Sequence, residues 1–227
     1  MDRSLNDGRQ FGPYGQELFD DHVSQLLEGG GLVRRLGNAH APRVGWADLS
    51  ARIGRNDKPG VLFAAVITGA LTDRELRRGL EDTWTTCEWP GRAADHEVWV
   101  QLFELAGVDE DHYLHETEVR DRARLPESVQ LFRAAAEGHQ TGFSWTTSFE
   151  RAHWFATRLG ALGGRHHEIY EAAVPREAVL ATFHATRGEH EYVIDTGRLD
   201  KVIPDAVEPA EWEYLLEEEN RLRATDE

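Results

Sequence analysis

The C-terminal half of the chain constrains the fold most, because short strand-like runs are interrupted there by a single amphipathic helix. A capping-box pattern at Thr147 and Glu150 begins this helix, and Gly160, Gly163 and Gly164 are expected to end it. Short runs separated by turn residues are typical of a sheet. The runs lie at residues 129–133, 142–146, 168–174, 179–184, 191–195 and 199–203.

The N-terminal half shows the spacing of helices instead. Between residues 46 and 120, apolar residues recur at intervals of three and four, and Thr72 with Glu75 forms another capping box. A second helix is expected after Asp95, ending at Gly107. The aromatic residues of these segments are interpreted as helical core: Trp84, Trp89, Trp99 and Phe103.

Both ends of the chain also carry predicted helices. The glycine-rich first 45 residues contain one at residues 17–27, and the acidic tail forms another from Pro209. We therefore predict an α+β protein in which a mostly helical region, residues 1–124, packs on a second domain, residues 125–227.

Composition narrows the range of functions. The 25 basic and 41 acidic residues give a net charge of −16, which argues against nucleic acid as a partner and suits a basic protein partner. No apolar run reaches the roughly 20 residues that span a bilayer. The N-terminus lacks the order of a secretory signal, and the single cysteine, Cys87, leaves no intramolecular disulfide. We expect a cytoplasmic protein without a membrane segment.

Three segments of the C-terminal half carry candidate chemistry. Leu-Phe-Arg ends one predicted strand at Arg133, and Gly-Phe-Ser-Trp-Thr forms the next strand around Ser144. Arg-Gly-Glu-His-Glu then leads into a later strand, where Glu189 and Glu191 project from one face if the chain is extended.

This ordered trio resembles the Arg–Ser–Glu class of ADP-ribosyltransferases, in which an arginine, an S-x-S/T segment and a Glu-x-Glu lie on successive strands. The resemblance covers residues 125–203. The trio is also similar to that of a group of actinobacterial and phage proteins with a Gly-x-Ser-Trp-Thr segment. The resemblance implies a split β-sheet core, NAD as substrate, and a role as a toxin or in phage–host conflict.

The resemblance implies three catalytic residues. Cleavage of the nicotinamide–ribose bond generates oxocarbenium-like charge, which Glu191 would stabilise while holding the ribose 2′-hydroxyl. Ser144 would orient Glu191 or the ribose through its hydroxyl. Glu189 would steer or deprotonate the acceptor, and a glutamate at this position favours arginine as the acceptor.

The resemblance also implies residues that hold NAD. Arg133 would bind the pyrophosphate or adjacent ribose through forked, charge-assisted hydrogen bonds, beside Ser144 and Thr146. Trp145 or Phe155 would flank the nicotinamide ring by stacking.

Alternatives remain open at this point. Each residue alone is more often structural: an arginine at a strand end pairs with an acid, and two glutamates entering a strand face solvent. The trio is also compatible with hydrolysis of NAD by water, or with a non-catalytic binding module of the same fold. No metal site is expected, because Cys87, Glu88, Asp95 and His96 are explained more simply by a turn between two helices.

Overall fold

The computed structural model describes residues 44–51, 53–107, 123–163, 166–183, 190–198 and 205–225. The chain divides into two compact units, Met1–Leu114 and His115–Glu227. The sequence division, between residues 124 and 125, falls within the second unit. The described part of the first unit is helical and the second is built on a six-stranded sheet, so the fold is α+β. The helix predicted at residues 17–27 and the strand at 199–203 lie outside the described residues.

The first unit contains four described α-helices. Thr72 begins the third of them, as its capping box predicts, because its Oγ1 accepts a hydrogen bond from the backbone N–H of Glu75 at 3.2 Å. The fourth ends at Gly107, also as predicted. The helices are α1 (Trp46–Ser50), α2 (Lys58–Ile67), α3 (Asp73–Thr86) and α4 (His96–Gly107).

An aromatic cluster forms the core of this unit. Trp99 makes edge-on contacts with Phe63 and Trp84, and Trp84 contacts Phe103 in the same way, with ring centroids 5.1 Å apart in each pair. The assignment of Trp89 to this core is wrong. Trp89 is 48% exposed, because it lies in the turn that leads into the short 3₁₀ helix Pro90–Arg92.

The second unit consists of one antiparallel sheet with two described α-helices. Its strands follow the predicted runs closely, and only the final two-residue strand was not predicted, because it is too short to show alternation. The sheet order is β4-β5-β2-β1-β3-β6. The strands are β1 (Ser128–Ala135), β2 (Ser144–Thr146), β3 (Glu168–Pro175), β4 (Val179–Phe183), β5 (Glu191–Ile194) and β6 (Asp205–Ala206); the helices are α5 (Phe149–Gly163) and α6 (Trp212–Thr225).

The start of α5 differs from the prediction by one residue. Ser148 caps the helix, because its Oγ accepts a hydrogen bond from the backbone N–H of Arg151 at 3.2 Å, whereas Thr147 is exposed. Gly160 does not end the helix, which continues to Gly163.

The sheet has two unlike faces. One carries an apolar core that includes Leu131, Trp145 and Ile194. The other packs against α5 through Phe149 and Ala152, with side chains of α6 at the edge of that cluster. Since side chains alternate along a strand, the residues next to those of the core belong to the α5 face.

The pairing between β1 and β2 is far shorter than that between β1 and β3. β1 pairs with β3 along its whole length, from Ser128 opposite Pro175 to Ala135 opposite Glu168. β1 and β2 share one pair, Phe132 opposite Thr146. The sheet therefore consists of two three-stranded groups, β4-β5-β2 and β1-β3-β6, joined at a narrow junction.

No helix within the described ranges has the length and apolar character needed to cross a membrane.

Leu131 provides a test of the core. Its side chain is fully buried in the middle of β1, so replacing it with alanine leaves a cavity at the centre of the sheet. We expect Leu131→Ala to lower the free energy of unfolding by about 2–5 kcal/mol. Leu222→Ala, at a 55% exposed position of α6, should change it by less than about 0.5 kcal/mol. Urea unfolding measures both, and equal effects would contradict this description of the core.

Candidate active site

The serine and glutamate segments lie side by side in the sheet. β2 and β5 pair with Thr146 opposite Glu191 and Ser144 opposite Val193. Directly opposed residues share a face, and so do residues two apart on one strand. Ser144, Thr146 and Glu191 therefore project from the same face, the one that α5 partly covers.

Glu191 occupies a restricted position at the start of β5. Its side chain is half-buried, with Phe183 of β4 opposite it on the second side of the strand. His190, directly before it, has a φ of 48°, a left-handed conformation that is uncommon for a residue other than glycine. Such backbone strain is concentrated at functional sites, and here it fixes how the chain enters the strand.

Ser144 is half-buried, and within the described residues its hydroxyl makes no hydrogen bond. Thr146 is engaged instead, because its Oγ1 accepts the backbone N–H of Ser148 at 3.1 Å. Thr146 thus ties the end of β2 to the start of α5.

Arg133 contacts the backbone of the serine segment from the neighbouring strand β1. By alternation it follows Leu131 on the core face of β1, but its long side chain extends to the point where β1 and β2 separate. There Nη1 donates to the backbone carbonyl of Ser144 at 2.7 Å, and Nε donates to that of His139 at 3.4 Å. The guanidinium therefore lies at the junction and bonds a β2 carbonyl that would accept a backbone N–H of β1 if the two strands stayed paired.

The environment of Arg133 is unusual for an arginine. Burial lowers the pKa of Arg133 to about 10, and the negative charge of Glu191 opposes that decrease. The two side chains are therefore close enough to interact electrostatically, although they begin on opposite faces of the sheet. A cation whose pKa is shifted by burial and by the charge of a carboxylate is a feature found at functional sites.

The loop between β1 and β2 packs around this guanidinium. The Cα of Gly142 lies so close to it that a methyl group there would overlap Nη2 and Cζ of Arg133. The indole N–H of Trp145 donates to the carbonyl of Gly142 at 2.7 Å. In the same loop, Gln140 Oε1 is buried and has no hydrogen-bond partner among the described residues, an acceptor that a bound donor would satisfy.

The two predicted stacking residues lie on different elements, Trp145 on β2 and Phe155 on α5. Trp145 is 2% exposed in the core on the opposite face, so we do not assign it a stacking role. Phe155 is half-buried on α5 and packs edge-on against Trp154, with ring centroids 4.9 Å apart. Glu189 lies outside the described residues.

Sequence reasoning missed two participants in this arrangement. Gly142 was treated only as the start of a strand, and nothing in the sequence distinguishes a glycine required for space from one required for a turn. Ser148 carried a signal, because it stands directly before the apolar residues of α5 and serine is a preferred N-cap.

A scan against protein-family models and searches of curated proteins and of solved structures found no match to this chain.

Among the described residues, no three His, Cys, Asp or Glu side chains are grouped so that they could hold a metal ion. Cys87, one of the residues weighed for such a site, donates its thiol to Asn56 Oδ1 at 3.7 Å. Burial, as the largest influence, raises the pKa of this thiol.

The role of Arg133 at the junction can be tested by its removal. Arg133→Met keeps the aliphatic stem but leaves the Ser144 carbonyl without its donor, so we expect a loss of about 1–3 kcal/mol in the free energy of unfolding. Arg133→Lys should recover part of this loss, because an ammonium can still donate one hydrogen bond. Urea unfolding compares the three proteins. A methionine variant as stable as the wild type would show that the guanidinium does not stabilise the junction.

Proposed function

We propose that the second unit is an NAD-dependent mono-ADP-ribosyltransferase that transfers ADP-ribose to a protein side chain. One observation carries the proposal. The arginine, serine and glutamate segments, which are separate in sequence, lie on three neighbouring strands of the sheet, β1, β2 and β5, and the Arg133 guanidinium bonds the Ser144 carbonyl where β1 and β2 separate. The half-buried positions of Ser144 and Glu191, together with the lowered pKa of Arg133, support it.

Each group has a role that fits its position. The bond from nicotinamide nitrogen to ribose C1′ breaks with its electron pair leaving on nicotinamide, and positive charge develops on the ribose. The carboxylate of Glu191 stabilises that charge and accepts a hydrogen bond from the ribose 2′-hydroxyl. Ser144, diagonal to it at a Cα separation of about 7–8 Å, donates to the same carboxylate or ribose.

Arg133 serves the anionic part of NAD. Its guanidinium has five N–H donors. The bonds to Ser144 and His139 leave donors for a phosphate oxygen. The protein contacts hold the fork in place before NAD binds, so less conformational freedom is lost on binding. This combination of fixed position and charge is what recognition of a pyrophosphate requires.

An acceptor completes the reaction by attack on C1′. A protein arginine is the first acceptor to test: its guanidinium nitrogen forms the new bond and releases a proton. Glu189, two residues before Glu191, is the candidate to receive it. Water in the same position would give free ADP-ribose, which is the NAD glycohydrolase alternative. A cytoplasmic role as a toxin or in phage–host conflict fits either reaction.

Labelled NAD separates these possibilities. Purified protein is incubated with adenylate-labelled NAD and cell extract, and released nicotinamide, free ADP-ribose and labelled macromolecules are measured together. We expect nicotinamide release with label on protein, and a loss of about a hundredfold or more in turnover for Glu191→Gln. Label found only in free ADP-ribose would assign the hydrolase activity instead.

The matched control is Glu213→Gln, the same chemical change at an exposed position of α6. It should leave turnover within twofold of wild type, and both variants should unfold like the wild type. If wild-type protein binds NAD but releases no nicotinamide under any condition, the domain is a binding module. If it neither binds nor cleaves NAD, the proposal is wrong.

A further inference from the structure

We propose that Gly142 is a positioning residue, which acts only by leaving the space in which the guanidinium of Arg133 is held. This inference rests on the proposed function for what the guanidinium binds. Its geometry is independent of that function, because it concerns contacts within the β1–β2 hairpin.

Gly142 leaves a space that the guanidinium of Arg133 fills. A Cβ built on Gly142 would overlap Nη2 and Cζ of Arg133, which are a terminal nitrogen and the central carbon of the guanidinium. Any side chain at this position therefore displaces the guanidinium from the carbonyl of Ser144. The atoms in conflict belong to the end of a flexible side chain, so the arginine moves rather than the backbone.

Gly142 has a backbone conformation that does not require glycine. Its φ lies outside the left-handed region, unlike that of Gly138 in the same loop, whose φ is 81°. Alanine can therefore adopt the backbone conformation of Gly142 without strain. A substitution there removes the space and leaves the loop intact, which separates the position of Arg133 from the fold.

A hydrogen bond from Trp145 holds Gly142 in place. The indole of Trp145 is in the core, and its N–H bonds the Gly142 carbonyl at 2.7 Å. Two residues after Gly142, the backbone carbonyl of Ser144 accepts a hydrogen bond from Arg133 Nη1 at 2.7 Å. The core thus fixes the glycine, and the glycine with the serine carbonyl defines one location for the cation.

The consequence for the reaction concerns binding of NAD more than its cleavage. Arg133 contacts a part of NAD that does not react, so a displaced guanidinium weakens ground state and transition state alike. For Gly142→Ala we expect the KM for NAD to rise about tenfold, the loss of one charged hydrogen bond, with kcat changed less than about twofold.

A double-mutant cycle tests the proposal in the full-length chain. Gly142→Ala, Arg133→Ala and the double variant are compared for the KM for NAD. Because alanine at 133 frees the space, the Gly142 substitution should cost nothing in that background. Thr141→Ala, at the exposed residue directly before Gly142, is the control: it adds no atom beside the guanidinium, and its effect should be the same with and without Arg133.

A second measurement does not require turnover. The Nε–H resonance of Arg133, assigned by its loss in Arg133→Lys, is followed by NMR with the unfolding curve of each protein. We expect Gly142→Ala to shift this resonance and speed its exchange with solvent while the fold is retained, and Thr141→Ala to leave the resonance unchanged.

The outcomes are distinct. An unchanged Arg133 resonance in Gly142→Ala overturns the proposal, and so does a KM effect that persists in the Arg133→Ala background. If wild-type protein does not bind NAD, the proposed function fails, and the resonance alone then decides whether Gly142 positions Arg133.

Discussion

The short pairing between β1 and β2 is the constraint on which the second unit depends. If β1 and β2 paired fully here, backbone hydrogen bonds would satisfy the facing carbonyls. The chain instead pairs Phe132 with Thr146 and then separates the strands. The exposed carbonyl of Ser144 must find another donor, and Arg133 supplies it. Structure and candidate chemistry therefore use the same side chain.

The elements near this junction reinforce its geometry. Thr146 Oγ1 ties β2 to the first turn of α5 through Ser148. At the same helix end, Glu219 of α6 accepts the backbone N–H of Glu150 at 2.8 Å, a carboxylate placed at a helix N-terminus. The C-terminal helix thus holds the start of α5, and α5 holds the strand that carries Ser144.

Much of this fold was legible in the sequence. Short runs between turn residues located most strands and capping residues located several helices, because both signals are local in sequence. Trp89 was misassigned because exposure depends on what packs nearby, which the sequence does not display. The short β1–β2 pairing, the role of Gly142 and the core position of Trp145 depend on strand register, a property of distant pairs. The sequence motif predicts the site residues, and the strand register shows how the Arg133 side chain comes to bond the Ser144 carbonyl.

The central claim is that NAD binds where the two halves of the sheet meet. The most direct test is an NMR titration of the isotope-labelled full-length Glu191→Gln variant with NAD, which removes turnover and keeps the binding groups. The account predicts that the Ser144 and Tyr192 amides and the Arg133 Nε–H shift together with one dissociation constant, while the Trp99 indole of the first unit does not move. No shift at millimolar NAD, or shifts confined to the helical unit, would contradict it.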